Sequence, residues 1–170
     1  YILVFKNSFG RRRSLKIFAC GDVVNVAGNK FLSDELIALI SECDLAICNF
    51  EAVTTSKKNG IPKAGPHLSQ SVKSIEHLKL SGFNLLGLAN NHIYDYGDAG
   101  LKDTFSKISE YELEYVGAAL SFEDAYRPFV QTYKNGTSVG VLAACEAEFG
   151  CFTEVCNRGG YAWLNHHLLD

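Results

Sequence analysis

FNLLGLANNH, residues 83–92, runs from Phe83 to Ala89 with Asn84 as its one polar side chain, then turns abruptly to Asn90, Asn91 and His92. A continuous apolar run, rather than an alternating one, predicts a strand covered on both faces, as strands of parallel sheets under helices are. The residues that follow it are ones that bind metals or hydrogen-bond ligands. The question is whether other strands of the chain end in the same way.

Two do. Leu15–Cys20 reads as a short strand ending in Gly21-Asp22, and Asp44–Phe50 (DLAICNF) as another, followed by Glu51. Between them, Ser33-Asp34-Glu35 offers a cap and acidic first turn for a helix carrying Leu36, Ile37, Leu39 and Ile40. After a loop rich in Gly, Pro and Lys (54–66), Ser69 is placed to cap a second helix with Val72, Ile75 and Leu78 on one side, ended by Gly82. A third helix is expected from about Asp98, with Leu101, Phe105 and Ile108 at helical spacing. Glu114–Val116, a helical turn at Ser121–Ala125, Phe129–Tyr133 and a two-residue Asn135-Gly136 hairpin into Val139–Ala143 complete the pattern. Strands and helices alternate first and an antiparallel pair follows, which predicts an α/β layered domain with parallel early strands.

In such sheets ligands bind beyond the carboxyl ends of the strands. A parallel arrangement would bring Asp22, Glu51, Asn91 and His92 together, with Asn49 and Asn90 beside them. Carboxylates, amide oxygens and an imidazole without cysteine suit Mn²⁺, Mg²⁺, Fe²⁺ or Zn²⁺, and a histidine beside such an ion suits proton transfer. Taken singly, each residue has a plainer reading: Asp22 a turn residue, Glu51 a solvated acid, Asn90-Asn91 an Asx turn, His92 a structural histidine. Asp95 and Gly97 read as a helix cap and a left-handed turn, or Asp95 as the partner that orients His92. His67 reads as a surface residue, and His77, His166 and His167 receive no role.

Composition sets limits. The 170 residues, 47% hydrophobic and 21% charged, suffice for one domain with a sizeable core. A net charge of -3 and a pI near 6.0 give no overall attraction to nucleic acid, and the basic run Arg11–Arg13 reads as a solvated edge. Nothing in the sequence reads as a membrane span or export signal. The absence of methionine suggests an internal piece of a longer reading frame. The six cysteines include no CxxC pair and read as buried reduced thiols, with disulfides the alternative.

FACGD (18–22), DLAICNFE (44–51), LANNHIYDYG (88–97), GLKDTF (100–105) and YVGA (115–118), in this order, resemble the bacterial CapA family of capsule and poly-γ-glutamate synthesis. The resemblance runs from about Leu15 to the end of the chain, with residues 1–14 read as an N-terminal extension. It implies a calcineurin-like metallophosphoesterase fold, a layered β-sandwich flanked by helices, here incomplete. It also implies a divalent-metal site with Asp22, Glu51 and Asn91 as ligands, Asn49, Asn90 and Asp95 in support, and His92 as the catalytic histidine. The expected chemistry is hydrolysis or transfer at a phosphoester or amide bond. The expected partners are an anionic polymer, a phosphorylated or γ-glutamyl substrate, and a membrane-bound synthase. Val24 stands where metallophosphoesterases usually carry a histidine, so the alternative is a non-catalytic binding module of the same fold. Family association suggests the cell envelope, with an anchor in an N-terminal part absent here, whereas the thiols and missing export signal suggest cytoplasm.

Overall fold

The computed structural model describes residues 2–7 and 14–165. In chain order the elements are β1 (Ile2–Asn7), β2 (Ile17–Val23), α1 (Asp34–Ser41), β3 (Leu45–Phe50), α2 (Val72–Leu80), β4 (Leu85–Gly87), α3 (Gly97–Glu110), β5 (Glu114–Val116), β6 (Ala118–Ala119), α4 (Phe122–Ala125), β7 (Phe129–Thr132), β8 (Ser138–Ala143), β9 (Cys151–Phe152) and β10 (Gly160–Ala162). They build a four-stranded sheet in the order β2-β3-β4-β5 and two three-stranded sheets, β1-β8-β7 and β6-β10-β9.

The four-stranded sheet is parallel throughout. Its strands lie in sequence order, so right-handed crossovers place α1, α2 and α3 on one face. The other face shares its core with the antiparallel β1-β8-β7 sheet through Val139, Val141 and Ala143. This double covering explains why Leu45, Ala46, Ile47 and Cys48 of β3 are all fully buried and why no alternation appears in its sequence. Ile40 of α1, Ile75 and Leu78 of α2, and Leu101 and Ile108 of α3 fill the helical side of the same core. At about 1.5–3 kcal/mol for each fully buried large side chain, this layer dominates the favourable side of folding.

Local chemistry fixes the element ends. Ser33 accepts from the Leu36 amide and caps α1 as expected. The cap of α2 is Ser71, which accepts from Lys73, two residues beyond the expected Ser69. Gly82, at φ +94°, supplies the left-handed residue that ends the helix. The β7–β8 hairpin is longer than the expected two-residue turn: Tyr133 and Thr137 still pair, and Asn135 spends its side chain on the Thr137 amide.

The stretch read as an extension includes β1, which pairs antiparallel with all of β8. Arg11–Arg13, His166 and His167 lie outside the described residues. Among the described residues, no helix is long and apolar enough to cross a membrane. All six cysteines are free thiols, with Cys48 and Cys151 buried and Cys20 exposed, so the buried-thiol expectation holds for only some of them.

Candidate metal and catalytic site

β2 and β3 pair Asp22 with Asn49, and β3 and β4 pair Asn49 with Gly87. The loops leaving this carboxyl edge therefore start together, and Asp22, Asn49, Glu51 and Asn90 meet there, whereas Asn91 and His92 turn to other partners. Asn49 Nδ2 donates to Asp22 Oδ1 at 2.8 Å and to Glu51 Oε2 at 2.7 Å. Because carboxylates only accept, these bonds fix the amide: its oxygen is turned away, toward Asn90 Nδ2 at 3.3 Å. Asn90, nearly fully buried, donates also to the Phe50 carbonyl and accepts from the backbone amides of Ala52 and His92. Asn90 is thus the brace that holds the β3 and β4 loops at one spacing.

Ala52, directly after Glu51, takes φ +79°, a left-handed conformation that costs a non-glycine residue about 1–3 kcal/mol. Gln70 supports the same turn, donating to the Val23 and Glu51 carbonyls and accepting from the Asn25 amide. Burial pushes the Glu51 carboxyl up, opposed by the Asn49 hydrogen bond; the charges of Asp22 and Asp95 add to the rise, and that of His92 lowers it.

The second half of the site is built around Asp95. Its carboxylate is fully buried and receives the Leu68 amide at 2.7 Å, the Lys63 ammonium and His92 Nδ1 at 2.8 Å. Lys63, whose side chain is only 3% exposed, also stands 3.4 Å from His92 Nδ1 and 5.6 Å from the centre of the Phe149 ring. With Nδ1–H given to Asp95, Nε2 is the ring nitrogen left for chemistry. The helix-cap reading of Asp95 is therefore corrected: α3 begins after Tyr96 without a side-chain cap, and the carboxylate is committed to Lys63 and His92.

Asn91 departs from the Asn49 cluster and donates to Glu148 Oε2 at 2.8 Å, which leaves its Oδ1 as the free oxygen. Glu148 lies beyond the end of β8, held by a bond from its amide to Tyr161 Oη. An open cavity of about 420 Å³ adjoins Asp22 and Asn49, with Ile2, Cys20, Ala89 and Ala143 also on its wall.

Three contributors escape the strand-end reading. Glu148 was findable by extending that logic to β8. Gln70 and Lys63 carry no such signal, since they reach the site from loops and the sequence around Lys63 resembles that of its solvated neighbours Lys57 and Lys58. His67 is exposed, with Nε2 against the Ile61 carbonyl.

These donors can be tested against a divalent ion. Asp22 and Glu51 supply the oxygen-rich pair a hard cation takes, drawn together on the Asn49 amide nitrogen. Among the described residues, no three His, Cys, Asp or Glu side chains group tightly enough to hold a metal. Beyond the two carboxylates, the side-chain oxygen of Asn91, whose nitrogen is given to Glu148, is the further oxygen donor on offer. The residues fit a hard cation with that oxygen included.

A parallel α/β sheet with carboxylates, amides and an oriented imidazole at its carboxyl edge defines the class: a layered α/β domain with a polar site at its strand ends. Residues 16–165 match the family described as bacterial capsule synthesis protein PGA_cap, and the chain belongs to that family. It is 34% identical over 129 residues to the capsule biosynthesis protein CapA of Bacillus anthracis, covering 74% of this chain and 31% of that protein. It is 34% identical over 124 residues to the PGA biosynthesis protein CapA of Bacillus subtilis, covering 72% and 30%. An uncharacterised protein of Sinorhizobium fredii is 28% identical over 133 residues, covering 75% and 28%. The chain thus spans under a third of the length of these relatives.

Proposed function

We propose that the chain forms the cation-holding part of a capsule or poly-γ-glutamate synthesis protein. In this reading Asp22, Glu51 and Asn91 hold a divalent cation for hydrolysis or transfer at a phosphoester or amide bond of an anionic polymer, a phosphorylated substrate or a γ-glutamyl substrate. The observation that carries it is the convergence of the Asp22 and Glu51 carboxylates on one amide nitrogen at the carboxyl edge of the parallel sheet. Of Mn²⁺, Mg²⁺, Fe²⁺ and Zn²⁺, so oxygen-rich a set favours Mg²⁺ and Mn²⁺. Such a cation, when bound, supplies Lewis acidity and lowers the pKa of water.

The chain's own groups do the rest. Asn49 keeps the two carboxylates together, and Asn90 fixes Asn49. His92, oriented through Nδ1 by Asp95, has Nε2 to exchange a proton with substrate. A membrane-bound synthase is the partner this role calls for.

The test is elemental analysis and calorimetric titration of the full-length protein with Mn²⁺ and Mg²⁺, beside the Asp22→Ala/Asn91→Ala variant. Stoichiometric metal lost in the variant is expected; unchanged affinity overturns the site. A second reading, a non-catalytic polymer-binding module, is favoured by Val24, which presents an apolar side chain, 49% exposed, where the metallophosphoesterase pattern has a histidine. Polymer binding without metal uptake would select it.

A further inference from the structure

We propose that Cys20 and Cys48 form an oxidisable thiol pair that, as a disulfide, ties β2 to β3 directly behind Asp22 and Asn49. The strand register carries the geometry. Ala19 lies opposite Ile47 and Asp22 opposite Asn49, so Cys20 and Gly21 together face Cys48 across a bulge. Neighbouring strands run about 4.8 Å apart, within the Cα separations of roughly 4.4–6.8 Å that disulfides span. Ala19 and Ile47 are direct partners, so the next residue on each strand, Cys20 and Cys48, turns to the same face of the sheet.

Access is asymmetric in a way that suits stepwise exchange. Cys20 is exposed and lines the cavity beside Asp22, whereas Cys48 is fully buried. A small disulfide such as oxidised glutathione is the co-reactant. The Cys20 sulfur forms a mixed disulfide and releases one glutathione; the Cys48 sulfur then displaces the second. Two protein thiols are oxidised, one small disulfide is reduced, and their two protons end on the two glutathione thiols.

Closing the bond draws in the bulge that sets where Asp22 stands against Asn49, one residue past Cys48 and two past Cys20. Its meaning as regulation rests on the cation-site reading; its occurrence does not. The test treats the full-length protein, freed of metal by chelation, with oxidised glutathione. It reads peptide masses and the NMR signals of the Asn49 side-chain amide. A Cys20–Cys48 peptide pair lighter by two hydrogens, with the Asn49 signals displaced, is the expected result, and Cys48→Ala should stop at a stable glutathione adduct on Cys20. A persistent Cys20 adduct in the unsubstituted protein, a disulfide to any other cysteine, no reaction, or unmoved Asn49 signals would each overturn the proposal. Neither readout involves a cation, so metal titration fails or succeeds separately.

Discussion

Lys63→Met removes the ammonium from a carboxylate that has no water to turn to. Asp95 is 0% exposed and the Lys63 side chain 3%, so the pair is desolvated on both sides. Breaking such a pair by deleting one partner costs about 3–5 kcal/mol, because the surviving charge is left buried. The Leu68 amide and His92 Nδ1 still reach Asp95 and place the expectation at the lower end, about 3 kcal/mol. With a urea slope of about 2 kcal/mol/M, the unfolding midpoint should drop by about 1.5 M at unchanged slope. Lys63→Met/Asp95→Asn leaves no buried charge, keeps an acceptor for Leu68, and should lose clearly less than the sum of the single variants. The double-mutant cycle should therefore return a coupling of about 2–3 kcal/mol. If each single variant costs under about 1 kcal/mol and the two add, Lys63 and Asp95 are not a buried pair and the account of how His92 is oriented fails.

Glu51 makes the stability depend on pH. Burial raises its folded-state pKa above the unfolded value, so between those two values the folded chain holds the extra proton. Stability must then fall as pH rises through that window and stay reduced above it. Urea midpoints followed from about pH 4 to 7 with chelator present should show this decline, and Glu51→Gln should flatten it; an equal decline in the variant assigns it elsewhere. Ala52→Gly relieves the left-handed strain at φ +79° against the greater entropy loss of glycine, for a net gain of about 0.5–1 kcal/mol by thermal unfolding. No gain would mean the turn is not strained. Gly150→Ala places a Cβ onto Tyr94 Cβ at φ +85°, and Tyr94 is held in turn by its bond to Asp98. A loss of about 2 kcal/mol or more is expected, with the Asn91–Glu148 bond disturbed, as the Asn91 amide NMR signals would report.

The parallel sheet was legible because β3 and β4 are covered on both faces, and nothing but an unbroken apolar run satisfies that environment. The strand-end residues were legible for a related reason: Asp22, Asn49, Glu51 and Asn90 interrupt such runs where a purely structural turn needs no more than one polar side chain. Lys63 was not, since its burial depends on a carboxylate 32 positions away and a lysine in a Gly/Pro-rich loop otherwise belongs in water. β1 was missed because its pairing with β8 joins residues more than a hundred positions apart in sequence, to which local periodicity is blind. The misplaced cap of α2 has a simpler cause. Ser69 and Ser71 are both suitable N-caps, and Ser69 is taken by a bridge to Val53 that only the tertiary fold reveals.

The orientation of Asn49 links the two halves of the site. Its N–H groups stand between the Asp22 and Glu51 carboxylates, and its oxygen is held by Asn90, whose own oxygen accepts from the His92 amide. Each amide in this series is fixed by the next, so none can reverse without leaving a buried donor or acceptor unpaired, at about 1–3 kcal/mol. A cation arriving between the carboxylates must then push Asn49 Nδ2 aside rather than recruit its oxygen. Strain from that displacement passes through Asn90 to the backbone that carries His92. Asn49→Asp, which replaces those donors with a third carboxylate, should therefore bind Mn²⁺ more tightly in calorimetry while lowering stability in its absence. A variant that bound no more tightly would place the cation away from Asn49, and with it away from the Asp22 and Glu51 pair.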